Sequence, residues 1–260
     1  MAPMKRKKSE KISERNEPIL ARIRDLKSDH PFWGYRRIWA HLQYVDSIKV
    51  NQKRVLRLMR EANLLVKAPM KLKASRCIKP KPKPQRPNEW WGIDMTKVLT
   101  IDEGWVYIVI VKDWFTKKIV GHFSGLQSKS WHWLLALNQA VNRQFPDGAQ
   151  NMGLHLMSDN GCQPTSSSFM KTCSTLGVKQ AFTSYNNPKG NADTERFMRT
   201  MKEELFWLRE WKSSKEIHEK LDEWIGFYNT KYLHSTLGYM PPARFEELYN
   251  QGQKILLAHA

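Results

Sequence analysis

Three apolar runs of strand character follow one another between residues 89 and 123, and every segment after them alternates between helix and strand. Residues 89–99 form the first run, Trp105 to Val111 the second and Lys117 to Phe123 the third. Asp102-Glu103-Gly104 supplies the turn between the first two. This spacing predicts an antiparallel meander. Residues 128–144 then place Trp131, Leu134, Leu135, Leu137, Ala140 and Val141 at helical intervals. Leu154 to Met157 reads as a short buried strand, Ser166 to Leu176 as a helix and Val178 to Phe182 as a fifth strand. A long helix is expected from about Ala192 to about Trp211. A meander followed by alternation leaves few folds open. The expectation is an α/β protein with a mixed five-stranded sheet and helices on both faces.

A different kind of chain precedes this domain. Residues 1–88 carry 24 Lys and Arg against 7 Asp and Glu, a net +17, whereas residues 89–260 carry 19 against 18. A basic front third before a neutral body points to a polyanion partner, most simply nucleic acid. Residues 17–28 read as an amphipathic helix with Pro18 in its first turn and Ile19, Ile23 and Leu26 on one face. Tyr35, Ile38, Trp39 and Leu42 continue the pattern after Gly34. Asn51 is suited to cap a further helix reaching about Ala62. On that helix Val55, Leu58 and Met59 face one way and Lys53, Arg57 and Arg60 another, with Arg54 at the side. Two short helices, a turn and a basic helix predict a helix-turn-helix module over residues 1–66, with Arg36, Arg37, Lys53, Arg54, Arg57 and Arg60 as candidate DNA contacts. A small bundle with a solvated charged face is the plainer alternative. Residues 67–88 interleave Pro69, Pro80, Pro82, Pro84 and Pro87 with eight basic residues, which predicts an extended linker before a domain spanning 89–250.

Composition closes several routes. Cys77, Cys162 and Cys173 are odd in number and lack CxxC spacing, so a disulfide framework is not expected and a reducing cytoplasm fits. No Cys/His set has zinc-finger spacing. The apolar run Val106 to Val111 is far too short to span a bilayer, so no membrane partner is expected. Most of the eleven tryptophans are expected in the core or along helix–sheet seams, and none is assigned to base stacking.

Three acids stand out against this layout. Asp94 lies inside the first strand, Asp159 ends the fourth, and Glu195 falls in the first turns of the helix after the fifth, with 35 residues between Asp159 and Glu195. A carboxylate on a buried strand is costly unless paired or bound to a cation. If strands one and four are neighbours, the first two acids meet where parallel strands open to ligands, and the third reaches in from the covering helix. Hard oxygen donors suit Mg²⁺ or Mn²⁺, and such a site can hold two ions roughly 3.5–4 Å apart that clamp an in-line phosphoryl transfer. Arg199 and Lys202, at i+4 and i+7 from Glu195, are placed to hold a phosphate. Taken singly, each acid has an ordinary explanation: Asp159 as a turn former before Asn160-Gly161, Glu195 as the partner of Arg199.

Strand-borne Asp94, Ser158-Asp159-Asn160-Gly161, the 35-residue gap and the run from Asn186 to Glu195 resemble the retroviral-integrase-like DDE transposases. More narrowly, the chain resembles the OrfB product of bacterial insertion sequences with two overlapping frames. Phe32 to Ile38 with Asn51 to Met59 resembles that family's helix-turn-helix segment. Trp224 to Asn229 and His234 to Pro242 resemble its C-terminal signature. The resemblance implies a ribonuclease-H-like fold, the catalytic and metal-binding triad Asp94, Asp159 and Glu195, and Lys202 as the family's basic residue seven after the Glu. It implies cleavage at transposon ends, joining of the freed 3′-hydroxyl to target DNA, passage through a circular intermediate and a homo-oligomer on DNA in the bacterial cytoplasm. It also implies an upstream OrfA-type partner or fusion. Two rival readings are a non-catalytic DNA-binding regulator or domesticated remnant, and a nuclease of the same fold that only cleaves. One departure is evident: many members carry Asp five residues before the Glu, where this chain has Gly190.

Overall fold

The computed structural model describes residues 10–66, 82–183 and 191–252, and the chain divides between Lys73 and Ala74 into two units. The first unit holds three helices: α1 (Glu10–Asp29), α2 (Tyr35–Tyr44) and α3 (Gln52–Glu61). Ile23, Leu26, Ile38, Leu42, Val55, Leu58 and Met59 are all buried in one core, so the apolar stripes of the three helices converge. Asn51 caps α3, its side chain accepting from the Lys53 N–H. Helix α1 differs from expectation. It starts seven residues early, and Pro18 sits inside it rather than in its first turn. Most of the basic linker, residues 67–81, lies outside the described residues.

The second unit is built on a five-stranded sheet in the order β3-β2-β1-β4-β5. The strands are β1 (Trp90–Thr100), β2 (Gly104–Asp113), β3 (Ile119–Gly125), β4 (His155–Ser158) and β5 (Lys179–Phe182). The first three pair antiparallel, and β1·β4 and β4·β5 pair parallel. The mixed sheet therefore has β1 at its centre, with the first and fourth strands as neighbours. Helices α4 (Ser130–Gln144) and α5 (Ser167–Thr175) bury Trp133, Leu137 and Phe169 against Ile93, Val109 and Val111 on one face. Helices α6 (Ala192–Glu204) and α7 (Ser214–Lys231) bury Phe197, Met201, Leu221 and Tyr228 against Val106, Ile108 and Ile110 on the other. Alternation along β2 thus feeds two separate cores. Asn229 on α7 clamps the sheet edge: its side chain accepts from the Ile119 N–H and donates to the Ile119 carbonyl. A last helix, α8 (Pro242–Asn250), follows.

Helix α6 is shorter than the expected span to Trp211. It stops at Glu204, and a 3₁₀ turn (Phe206–Leu208) follows. Beyond it the chain runs beside β1: the Ile101 N–H donates to the Trp211 carbonyl and the Asp102 N–H to that of Lys212. Trp211 is buried with Phe206, and its indole N–H donates to the Phe206 carbonyl. A tertiary pairing with β1 ends the helix where apolar periodicity would have prolonged it.

Candidate active site

The parallel pairing of β1 with β4 sets the level of the first two acids. Trp90 lies opposite His155, Trp91 opposite Leu156 and Gly92 opposite Met157. The same offset, carried past the end of β4, puts Asp94 level with Asp159. Asp159 opens a turn held by its own side chain, whose Oδ1 accepts from the Gly161 N–H at 3.1 Å. Asn160 ties this turn to the end of β5 by donating to the Thr183 carbonyl.

Asp94 shares a face of β1 with Gly92, the face that α6 covers. Its Oδ1 accepts from the Met95 N–H at 2.8 Å. Burial raises the Asp94 carboxyl from its ordinary 3.8 to about 6; the Met95 N–H opposes this, Asp159 and Glu195 add to it, and Lys202 counteracts it. Asp94 therefore lies within the electrostatic reach of both other acids and of Lys202. Burial also raises the Glu195 carboxyl, although its residue is exposed overall. Among the described residues, no three His, Cys, Asp or Glu side chains stand in position to share one metal ion. The donor set nonetheless suits a hard cation: a desolvated carboxylate raised by two like charges is stabilised by a positive ion beside it.

The seating of α6 depends on residues that the motif reading did not single out. Thr194 is fully buried, and its Oγ1 accepts from the Trp114 indole N–H at 3.0 Å. The contact is possible only because position 92 lacks a side chain. A Cβ there would lie 2.0 Å from Thr194 Oγ1 and 2.5 Å from Trp114 Nε1. Lys117 pairs with Asp193 at 3.5 Å, and Lys112 donates to the Asp193 carbonyl. The residue just before Glu195 is thus fixed two positions from Asp94 along β1. A glycine inside an otherwise apolar strand was the available signal.

The remaining candidates divide by environment. Lys202 sits in the last turn of α6. Arg199 pairs with Glu203 at 2.7 Å rather than with Glu195. Gly190 lies outside the described residues. In the helical unit Arg36, Lys53, Arg57 and Arg60 are exposed. Arg37 lies over the Trp33 ring, and Arg54 donates to Asn16 Oδ1 and to the Arg15 carbonyl, which fastens α3 to α1.

Comparison with known proteins agrees with this arrangement. The Integrase core domain family matches residues 84–188, a second Integrase core domain family matches 176–242, and the HTH-like domain family matches 14–71. A 31 kDa protein of insertion element IS600 from Shigella sonnei is 30% identical over 231 residues, covering 84% of this chain and 83% of that protein. The chain belongs to the OrfB-type transposases of bacterial insertion sequences. The transposase of insertion sequence IS904 from Lactococcus lactis is 33% identical over 165 residues. That match covers 63% of this chain and 63% of the IS904 protein. Among solved structures, the simian T-cell lymphotropic virus intasome in complex with the PP2A regulatory subunit B56 gamma matches with a TM-score of 0.53 at 15% identity. It covers 92% of this chain and 78% of that one. The likeness is one of fold, and the OrfB-type chain shares the ribonuclease-H-like sheet.

Proposed function

We propose that this transposase cuts DNA at the ends of its insertion sequence and joins the freed 3′-hydroxyl to target DNA, using Asp94, Asp159 and Glu195 as its catalytic acids. The observation that carries the reading is the placement of Asp94: partly desolvated on the central strand, level with Asp159, and in the field of Glu195. A pair of Mg²⁺ or Mn²⁺ ions held by these carboxylates would activate the attacking oxygen and stabilise the leaving one. The protein's own contribution is to hold the three acids on rigid elements. The Met95 N–H fixes one Asp94 oxygen, the Asx turn fixes Asp159, and the Trp114–Thr194 bond fixes the start of α6. Lys202 offers positive charge to a phosphate beside Asp94, and Arg199 is a second candidate once drawn from Glu203.

In this reading the basic helical region 1–66 binds end DNA through Arg36, Arg37, Lys53, Arg57 and Arg60, with Arg54 contributing mainly to the packing of α3 on α1. The working form is a homo-oligomer on DNA in the bacterial cytoplasm; an upstream OrfA-type segment helps it find its ends but is not required for chemistry on end DNA supplied to it, and the element passes through a circle. The test is to incubate the purified chain with labelled end DNA and Mn²⁺. Cleaved and joined products are expected, and Asp94→Asn should abolish both while leaving DNA affinity nearly unchanged. Loss of affinity together with activity would show that Asp94 is structural and would overturn the assignment.

A further inference from the structure

Beside the open edge of β1 lies a groove of about 510 Å³ that the catalytic reading leaves unused. Strand β4 pairs only with Trp90 to Gly92, so the later part of β1 has no strand on that side until Trp211 bridges Thr100. Phe206 and Trp211 form the buried floor. Trp105 and Trp207 stand on the rim, 45% and 60% exposed. Lys97 lies over the Trp105 ring at 4.3 Å, and Arg209 over the Trp211 ring at 4.2 Å. Lys202 lines the same groove. Exposed aromatic faces interleaved with cations beside an apolar floor make a poor solvent surface, and a patch of this kind marks an interaction site.

We propose that this groove is a binding site for an unpaired DNA strand, with Trp207 as the stacking face and Lys97 and Arg209 as phosphate contacts. Three points favour a nucleic-acid strand over a protein. Three of the lining side chains are cationic against one acid, Glu210, and even with Arg209 paired to Glu216 at 3.6 Å the balance stays positive, so the charge complements a polyanion. Aromatic planes with cations between them are the means by which proteins hold single strands without reading sequence. Lys202, whose charge is felt at Asp94, also lines the groove, so the groove and the candidate site share one cationic residue. The site deepens the strand-transfer reading and rests on it for the source of the strand.

The experiment uses the full chain and two labelled probes, a 12-nucleotide single strand carrying 5-iodouracil and a blunt duplex of the same sequence. Trp207→Ala is expected to weaken single-strand binding roughly tenfold, to leave duplex binding unchanged, and to remove a photo-crosslink that mass spectrometry maps to residues 205–212. Trp207→Phe should restore most of the affinity, which a general loss of structure would not allow. Crosslinks confined to residues 1–66, or equal single-strand affinity in wild type and Trp207→Ala, would overturn the proposal. A change in sedimentation of Trp207→Ala with unaltered DNA binding would assign the groove to protein contact and would overturn it equally. Strand transfer by the wild-type chain is assayed in parallel. An active wild type with no crosslink in the groove refutes only the groove, whereas an inactive wild type that crosslinks there refutes the catalytic reading and leaves the groove standing.

Discussion

Replacing Asp94 by Asn should make the metal-free protein more stable, and the size of the gain follows from the environment of that side chain. Burial, opposed by the Met95 N–H and reinforced by Asp159 and Glu195, raises the carboxyl from 3.8 to about 6. The change corresponds to roughly 3 kcal/mol of unfavourable free energy carried by the ionised folded form. Residual solvent at this partly buried position trims the expected gain to about 1–3 kcal/mol. Asn is nearly isosteric and keeps an oxygen to accept from the Met95 N–H, so little else is lost. The sign with pH is definite. A carboxyl raised in the folded state contributes stability that is fully present below pH 3.8 and is lost as pH rises through about 6. Wild type and Asp94→Asn should therefore differ little near pH 3.5, diverge between pH 4 and 6, and stay apart above that. Urea denaturation in EDTA across this range measures the gap. Adding Mn²⁺ at pH 8 should then raise the stability of wild type more than that of the variant, because a ligand that binds only the folded state stabilises it in proportion to its occupancy. A variant less stable than wild type at pH 8, or a gap independent of pH, would refute the claim that Asp94 is held against an electrostatic cost.

Two further outcomes are expected. Thr194→Val removes the acceptor of the buried Trp114 indole N–H and should cost about 1–3 kcal/mol of stability with a fall in strand transfer. Thr194→Ser, which keeps the hydroxyl, should recover both, and failure of Ser to rescue transfer would separate the hydroxyl from the positioning of Glu195. In the helical unit, Lys53→Ala or Arg57→Ala should weaken binding of end DNA uniformly across sequences, and each should lower the slope of log affinity against log salt by about 0.9. An unchanged slope in both variants would mean that the exposed face of α3 does not touch phosphate.

The legible and the hidden parts of this chain differ in physical kind. The strand directions follow from local signals: Asp102-Glu103-Gly104 joins two apolar runs too closely for anything but a hairpin, and helices separate the later strands as parallel crossovers need, but the seating of the fourth strand beside the first came only with the fold. The burial of Asp94 on the first strand was legible because a carboxylate inside an apolar run conflicts with its surroundings, whereas Asp159, just past the fourth strand, is exposed and was marked only by its turn signal. The end of α6 was not legible, because Leu205 to Trp211 has no Gly or Pro stop signal. The helix ends through hydrogen bonds from Ile101 and Asp102, residues more than a hundred positions earlier. Pro18 misplaced the start of α1 for the converse reason, since a local breaker was tolerated inside a helix whose inner face is packed in the helical core.

The same distinction explains why the acids stood out and their support did not. A carboxylate on a buried strand is chemically anomalous where it sits, whereas Trp114, Thr194 and Gly92 are each ordinary residues in ordinary elements. Their role exists only in the fit among them. An indole N–H finds a hydroxyl across 80 positions of sequence, at a point where a missing Cβ lets the helix approach the strand. Trp207 is a similar case from the opposite side: its apolar bulk suggests the core, yet it is among the most exposed large apolar side chains of the described residues. What decides between core and surface for these residues is the path of the backbone after α6, set by pairing with β1. The candidate acids of this transposase could therefore be picked out one residue at a time. The geometry that would aim Glu195 at Asp94, and the surface that would receive the strand, belong to contacts that only the folded chain brings into being.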